Sequence, residues 1–327
     1  MSLSQTEYGK AYEYACLLSL KNALSMRGVR IVTIRSMAYE TALSAYEKAE
    51  REKKSANLIK AADAAIRVIM RLEPQLERGN GTLSLSIQND AQGIVGDVRD
   101  LVFVRSTEGW EVGLSCKHNH HAVKHSRLSS TIDFGNDWFG IGCSQNYFDT
   151  IRPIFGELRR MRTDAIEGKY PIPLWRDIPN KAERFYLPVL HAFANELREL
   201  SHIDHAVPSK LIRYMLGRYD FYKVITDDRH RTTRIEAINI HGTLNRYANG
   251  YRSIVDVPKV QLPNRFFHIG MVPYSDNTLE IVCDEGWTLE MRIHSAKSEV
   301  EPSLKFDVQL VSLPNTIHAQ VEPWDNY

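Results

Sequence analysis

Asp97, Asp100, Glu111 and Lys117 crowd into two short runs, GDVRDLVFV (96–104) and WEVGLSCK (110–117), separated by a Ser-Thr-Glu-Gly turn. Both runs are rich in β-branched and aromatic residues, so the stretch reads as a β-hairpin. Residues two apart on a strand share a face. Asp100 therefore lies with Val98, Val102 and Val104, Asp97 with Arg99 and Leu101, and Glu111, Gly113, Ser115 and Lys117 lie together. Beyond Lys117 the chain continues as HNHHAVKHSR (118–127), and no acidic residue occurs between Val112 and Ile132. An acid-bearing hairpin that opens onto a basic segment is suited to gripping or cutting phosphates. If Asp100 and Lys117 converge, the carboxylate could hold a divalent metal over a scissile phosphate. The ammonium could then orient water or offset developing charge. A surface hairpin with ordinary charges fits the spacing equally well.

The elements that must hold this hairpin are helical before it and strand-rich after it. Ser4-Gln5-Thr6-Glu7 is a capping-box pattern that opens a helix with Tyr8, Ala11, Tyr12, Ala15 and Leu18 on one face. Glu13 lies among those positions, and spacing alone reads it as a surface carboxylate. Residues 37–76 are again helical, with a solvated charge run at 46–54. Residues 82–87 alternate as a half-buried strand. After the hairpin, 122–130 reads as a short basic helix and 134–140 as a Gly-bounded aromatic loop, with helices at 147–166, 180–200 and 209–216. Strands follow at 221–225, 234–240, 265–271, 278–282, 287–293 and 304–310, punctuated by prolines. The expected architecture is α+β, with a division into residues 1–217 and a β-rich portion, residues 218–327.

Composition narrows the class. The 327 residues are 43% hydrophobic and 25% charged, as in ordinary globular proteins, and the net charge is +1. That balance excludes an indiscriminately basic coat but not a locally basic cleft. Cys16, Cys116, Cys143 and Cys283 form no C-x-x-C pair, so neither a zinc site nor a disulfide framework is expected, and a reducing cytoplasm fits best. The N-terminal residues lack the basic-then-apolar pattern of a signal peptide and no run reaches the length of a membrane span, so neither secretion nor membrane insertion is expected.

The Gly-x-x-x-Glu of residues 9–13, the Gly-x-x-x-Asp-Leu-Val-Phe of 96–103 and the strand ending at Lys117 resemble the PD-(D/E)xK nuclease core. More narrowly, GKAYEYA (9–15), GDVRD (96–100), LSCKHNH (114–120), AVKHSRL (122–128), RIHSA (292–296) and SLKFD (303–307) resemble the HaeIII-type type II restriction endonucleases. These segments run from one end of the chain to the other. The resemblance implies a restriction-endonuclease-like core, a mixed sheet flanked by helices. It also implies a bacterial, Mg²⁺-dependent homodimer that cuts both strands of double-stranded DNA at GGCC, leaving blunt ends. A cognate DNA methyltransferase would act on the same site. Matched position by position, Asp100 is the metal-binding aspartate, Lys117 the lysine, and Glu13 the first-helix glutamate that joins the metal shell. Ser115 stands where the pattern expects an acid. Glu111, Asp97 or Glu13 could supply the missing carboxylate, and Glu13 is preferred because its helix otherwise faces the core. Asp97 also competes with Asp100 for the first ligand; Asp100 is preferred because it precedes Leu-Val-Phe directly.

The adjacent His118-Asn119-His120 superficially suggests an HNH nuclease, but three consecutive residues cannot hold one ion as that scaffold does. With Lys124 and Arg127, His118, Asn119 and His120 are expected to approach the DNA backbone. Base reading, typically Arg or Lys to guanine, is expected from the cluster around Arg213, Arg218, Lys223, Arg229, Arg231 and Arg234. Tyr214, Tyr219, Phe221 and Tyr222 are interleaved with these, and Asn239, Asn245 and Arg246 follow. Residues 218–327 are thus the expected recognition region. Two alternatives stay open: a structure-specific repair or junction nuclease on the same core, and a non-catalytic DNA-binding protein in which Ser115 marks a decayed site.

Overall fold

The structure is a computed structural model that describes residues 3–89, 91, 92, 96–119, 122–124 and 126–325, with only the backbone described for 122–124. The expected α+β class is what it contains: helices and two sheets, one of them mixed. The chain divides into two compact units. One comprises Met1–His121, Gly217–Gln261 and Asn315–Tyr327, and the other Ala122–Leu216 and Leu262–Pro314.

The first unit is built on a seven-stranded mixed sheet. Its strands are β1 (Ile31–Ile34), β2 (Leu83–Ile87), β3 (Leu101–Arg105), β4 (Trp110–His118), β7 (Phe221–Asp227), β8 (Thr232–Ile238) and β13 (Ala319–Pro323), side by side in that order. The β1–β2 and β4–β7 pairs are parallel and the other pairs antiparallel. One face packs on α1 (Gln5–Ser25) and α3 (Ser55–Leu72), with α2 (Met37–Arg51) alongside. Ser4 caps α1 through the expected capping box, its side chain accepting from the Glu7 N–H. Alanines at 61, 62, 64 and 65 let α3 lie close on the sheet, and Leu58, Ile66, Val68, Ile69 and Leu72 complete its buried stripe. The alternation of Leu83-Ser-Leu-Ser-Ile87 points its three apolar residues inward as expected. β7 and β8 lie beyond residue 217, yet β7 pairs with β4 and β8 with β7, so this sheet draws on both sides of the boundary anticipated from composition.

The second unit has its own sheet: β5 (Ala122–Lys124), β12 (Ser303–Ser312), β11 (Thr288–His294), β10 (Thr278–Cys283) and β9 (Phe266–Met271), with β6 (Arg127–Ser129) also on β12. Its helices include α4 (Phe134–Phe139), α5 (Gln145–Glu167), α6 (Leu187–Ile203) and α7 (Val207–Leu216), and Phe134, Trp138, Tyr147, Phe193 and Phe306 form an aromatic core. Two expectations are corrected here. Ala122–Lys124 and Arg127–Ser129 form strands in place of the expected basic helix over 122–130, because β12 offers them a ladder, with Leu128 opposite Leu304. Residues 134–139 form a helical turn instead of a loop. Asp133 accepts from the Asn136 N–H at its start, and Gly140 closes it at φ +72°.

One buried acid sets the pH response of the first unit. Glu73 is fully buried; Tyr222 Oη and the Asn245 N–H both donate to its Oε1 at 2.7 Å, while Oε2 has no partner among the described residues. Burial pushes its pKa up to about 7, with the two hydrogen bonds and Arg246 opposing. The unfolded chain releases this proton near the ordinary carboxylate value, so folding is favoured at low pH. That contribution is lost as pH rises through the folded value, about 3 kcal/mol in all. Glu73→Gln is therefore expected to gain stability on the parent between about pH 5 and 8 in urea unfolding; an unchanged gap would contradict the assignment.

Candidate active site

Asp100 sits one residue before β3, its N–H donating to the Leu114 carbonyl of β4 at 2.7 Å. Its Oδ2 collects three donors from β4: the Cys116 N–H at 2.6 Å, Ser115 Oγ at 3.4 Å and Lys117 Nζ at 3.4 Å. All three fall on one oxygen, which leaves Oδ1 for another partner. The Asp100 and Lys117 side chains are 20% and 25% exposed, open enough for a substrate phosphate to approach. Burial works against charge on Lys117, but Asp100 chiefly, with Glu13 adding, holds its proton affinity above the ordinary value.

Glu13 is only 5% exposed, so the surface reading from spacing is corrected. It projects from α1, whose Ala11, Tyr12, Ala15 and Cys16 are buried against the sheet, and ion-pairs with Lys10 at 3.1 Å. Its charge is felt at both Cys116 and Lys117, as is that of Asp100. The fold thus gathers Glu13, Asp100, Ser115 and Lys117 from the first helix and the hairpin into one electrostatic neighbourhood.

Asp97 and Glu111, the other candidate acids, are committed elsewhere. Arg99 binds Asp97 through Nε and Nη2, both at 2.8 Å, and Glu111 through Nη1 at 2.8 Å. The Tyr219 ring lies 3.9 Å from the same guanidinium. Arg99 and Asp97 are buried, and removing one partner of such a pair costs about 3–5 kcal/mol. Asp97 accordingly stays below the ordinary carboxylate range: burial opposes the shift and Arg99 outweighs it. Glu111 stands four residues before Ser115, roughly 13 Å along an extended strand. The arginine also crosses Gly113, where a Cβ would meet its Cδ at 2.1 Å. Asp97→Ala is expected to lose about 3 kcal/mol in chemical denaturation, with cleavage falling only as the folded fraction falls. Complete inactivity in a fully folded variant would return Asp97 to the site.

The candidate DNA-contacting residues scatter. His118 is buried, stacked on Tyr8 at 4.9 Å with the rings within 4°, and its Nε2 lies 3.1 Å from Asp228. Asn119, at φ +52°, donates from Nδ2 to Asp228 and accepts from the Asp228 N–H. The two residues pin the end of β4 to the turn after β7, in place of the expected outward reach. Asn245 is likewise turned to structure, its amide donating to the Leu72 and Val255 carbonyls. Arg229 is exposed; Arg231 pairs with Asp325 at 2.9 Å, and Arg234 with Glu236 at 2.6 Å. Arg127, in the second unit, is exposed and donates to Ser303. His120 and the Lys124 side chain lie outside the described residues. Lys223, grouped with the base readers, is buried on β7 with Ser115 as its β4 partner. Neither that placement nor the role of Asp228 could be read without the β4–β7 register.

Among the described residues no three His, Cys, Asp or Glu side chains are gathered so as to hold a metal alone. The donor set still suits a hard ion, because Mg²⁺ commonly takes one or two protein carboxylates and completes its shell with water and substrate phosphate.

Residues 9–314 match the HaeIII restriction endonuclease family. The chain belongs to that family. It is 40% identical over 329 residues to the type II restriction enzyme HaeIII of Haemophilus aegyptius, covering 99% of this chain and 100% of that enzyme. No solved structure matches. Of the readings left open by sequence, family membership selects the type II restriction endonuclease, a site-specific deoxyribonuclease whose substrate is DNA and which works with a divalent metal. Among the described residues no helix is long and apolar enough to cross a membrane.

Proposed function

We propose that this HaeIII-family endonuclease is a Mg²⁺-dependent homodimer that cuts GGCC at its centre to leave blunt ends, with Asp100, Glu13 and Lys117 as its working residues. The observation that carries the reading is the convergence of Ser115, Cys116 and Lys117 on a single oxygen of Asp100, with the buried Glu13 of α1 adding its charge to theirs. Glu13 and Asp100 Oδ1 would hold the ion, which supplies Lewis acidity at the scissile phosphate. Lys117, kept protonated by the two acids, orients the attacking water and offsets charge growing on the phosphate. The Cys116 N–H and the Ser115 hydroxyl fix Asp100 from the other side. Glu13 thus stands in for the acid that Ser115 does not provide, while Asp97 and Glu111 remain with Arg99.

A two-fold target calls for a two-fold enzyme, with one such centre per strand. Arg229, Arg231, Arg234 and Arg127 are the candidate DNA contacts with exposed or half-exposed guanidinium groups. A methyltransferase of the same specificity would protect the DNA of a bacterial cytoplasm without binding this enzyme stably.

Plasmid digested with the protein and Mg²⁺ should yield discrete bands whose sequenced ends are blunt and split GGCC. Structure-dependent nicks or another terminal sequence would refute the specificity. Asp100→Ala and Lys117→Ala are each expected to lower cleavage at least about a thousandfold and Glu13→Gln roughly a hundredfold, all three retaining DNA binding in Ca²⁺. Full activity in Glu13→Gln would remove it from the ion.

A further inference from the structure

β4 and β7 pair in parallel with Ser115 opposite Lys223, and β7 pairs with β8 with Lys223 opposite Glu236. The Asp100 carboxylate continues this line on the other side of β4, its Oδ2 accepting from Ser115 Oγ at 3.4 Å. Asp100, Ser115, Lys223 and Glu236 therefore form one cross-strand row on the face that carries Lys117. Adjacent strands lie about 4.8 Å apart, so a lysine stem spans the gap to Ser115. Lys223 is 3% exposed and Glu236 is 5% exposed. Arg234 Nε donates to Glu236 Oε1 at 2.6 Å, fixing the carboxylate beside the lysine.

Charge placement decides what this row does. With Glu13 already serving the first ion, an acid at 115 would add a further carboxylate beside Asp100 and with it a place for a second divalent ion, as in two-metal sites. Here the position carries a neutral hydroxyl, and the next position in the row carries an ammonium. We propose that Lys223, braced by Glu236, occupies the place of a second cation, so that each active centre takes one divalent ion and no more. This rests on the assignment of Asp100 and Glu13 to that ion. Lys223 is a positioning residue: its fixed charge excludes a second ion and holds the field in which Asp100 and Lys117 work. Burial lowers its proton affinity to about 8; Glu236 opposes that shift and Lys117 and Arg234 reinforce it, so Lys223 remains largely cationic at neutral pH.

The test counts ions. Mn²⁺ bound to the protein on a GGCC duplex with a non-cleavable central linkage can be titrated by calorimetry and by the loss of the free-ion resonance signal. The parent should bind one ion per chain, and so should Lys223→Arg and Ser115→Glu. Ser115→Glu combined with Lys223→Met should bind two. Lys223→Met alone should still bind one ion and retard the duplex normally, while kcat falls ten- to a hundredfold and Lys223→Arg restores part of it. Two ions per chain in the parent, or a second ion in Ser115→Glu with Lys223 intact, would overturn the proposal. Asp100→Ala separates the two readings. If it still binds one ion, the Asp100–Glu13 assignment is wrong and the proposal falls with it; if it binds none and the parent binds two, only the role of Lys223 fails.

Discussion

The parallel pairing of β4 with β7 is the constraint on which the candidate centre depends. A parallel neighbour cannot be supplied by a tight turn; it requires a long connection, and here more than a hundred residues separate the strands. That register sets Lys223 beside Ser115 and Ile225 beside Lys117, and it brings the turn after β7 to His118 and Asn119. A slip of β7 by one residue would send Lys223 and Ile225 to the helix-covered face. The Asp228 contacts to both His118 and Asn119 hold the end of the ladder where slippage would start.

The same region shows how acids of similar sequence standing are divided by their surroundings. Asp97 and Asp100 are three residues apart. One meets a guanidinium that its own chain turns back onto it, and burial makes that pair costly to open. The other meets an N–H, a hydroxyl and an ammonium, all on one oxygen, and its second oxygen is left for another partner. Gly113 makes this division geometrically possible, because any larger residue would block the path of Arg99.

Much of this was legible in the sequence where the information is local. The capping box of α1, the hairpin with its Ser-Thr-Glu-Gly turn, the alternation of β2 and most strands beyond residue 217 follow from period, caps and turn chemistry. The hairpin residues Asp100, Ser115 and Lys117 were equally visible, because hairpin neighbours are neighbours in sequence. What escaped was non-local. β1 and β13 are short and owe their existence to partners far along the chain. Residues 122–124 and 127–129 carry no strand signal strong enough to override the charge of their segment, and β12 supplies the reason they extend. Glu13 read as a surface residue from its helix, and Lys223 as a base reader from its composition; burial by distant strands reversed both.

The order of the strands along the chain also bears on when the candidate centre can form during synthesis. The sheet that carries the candidate centre begins near the N-terminus but receives β7 and β8 only after residue 220, and its last strand at residues 319–323. During synthesis the hairpin and α1 emerge early, without the strand that sets Lys223 beside Ser115. Contacts of such long sequence separation form late and slowly. A nascent or truncated chain therefore lacks the completed row. The order of the strands ties completion of this row to the synthesis of β8, more than a hundred residues after the hairpin.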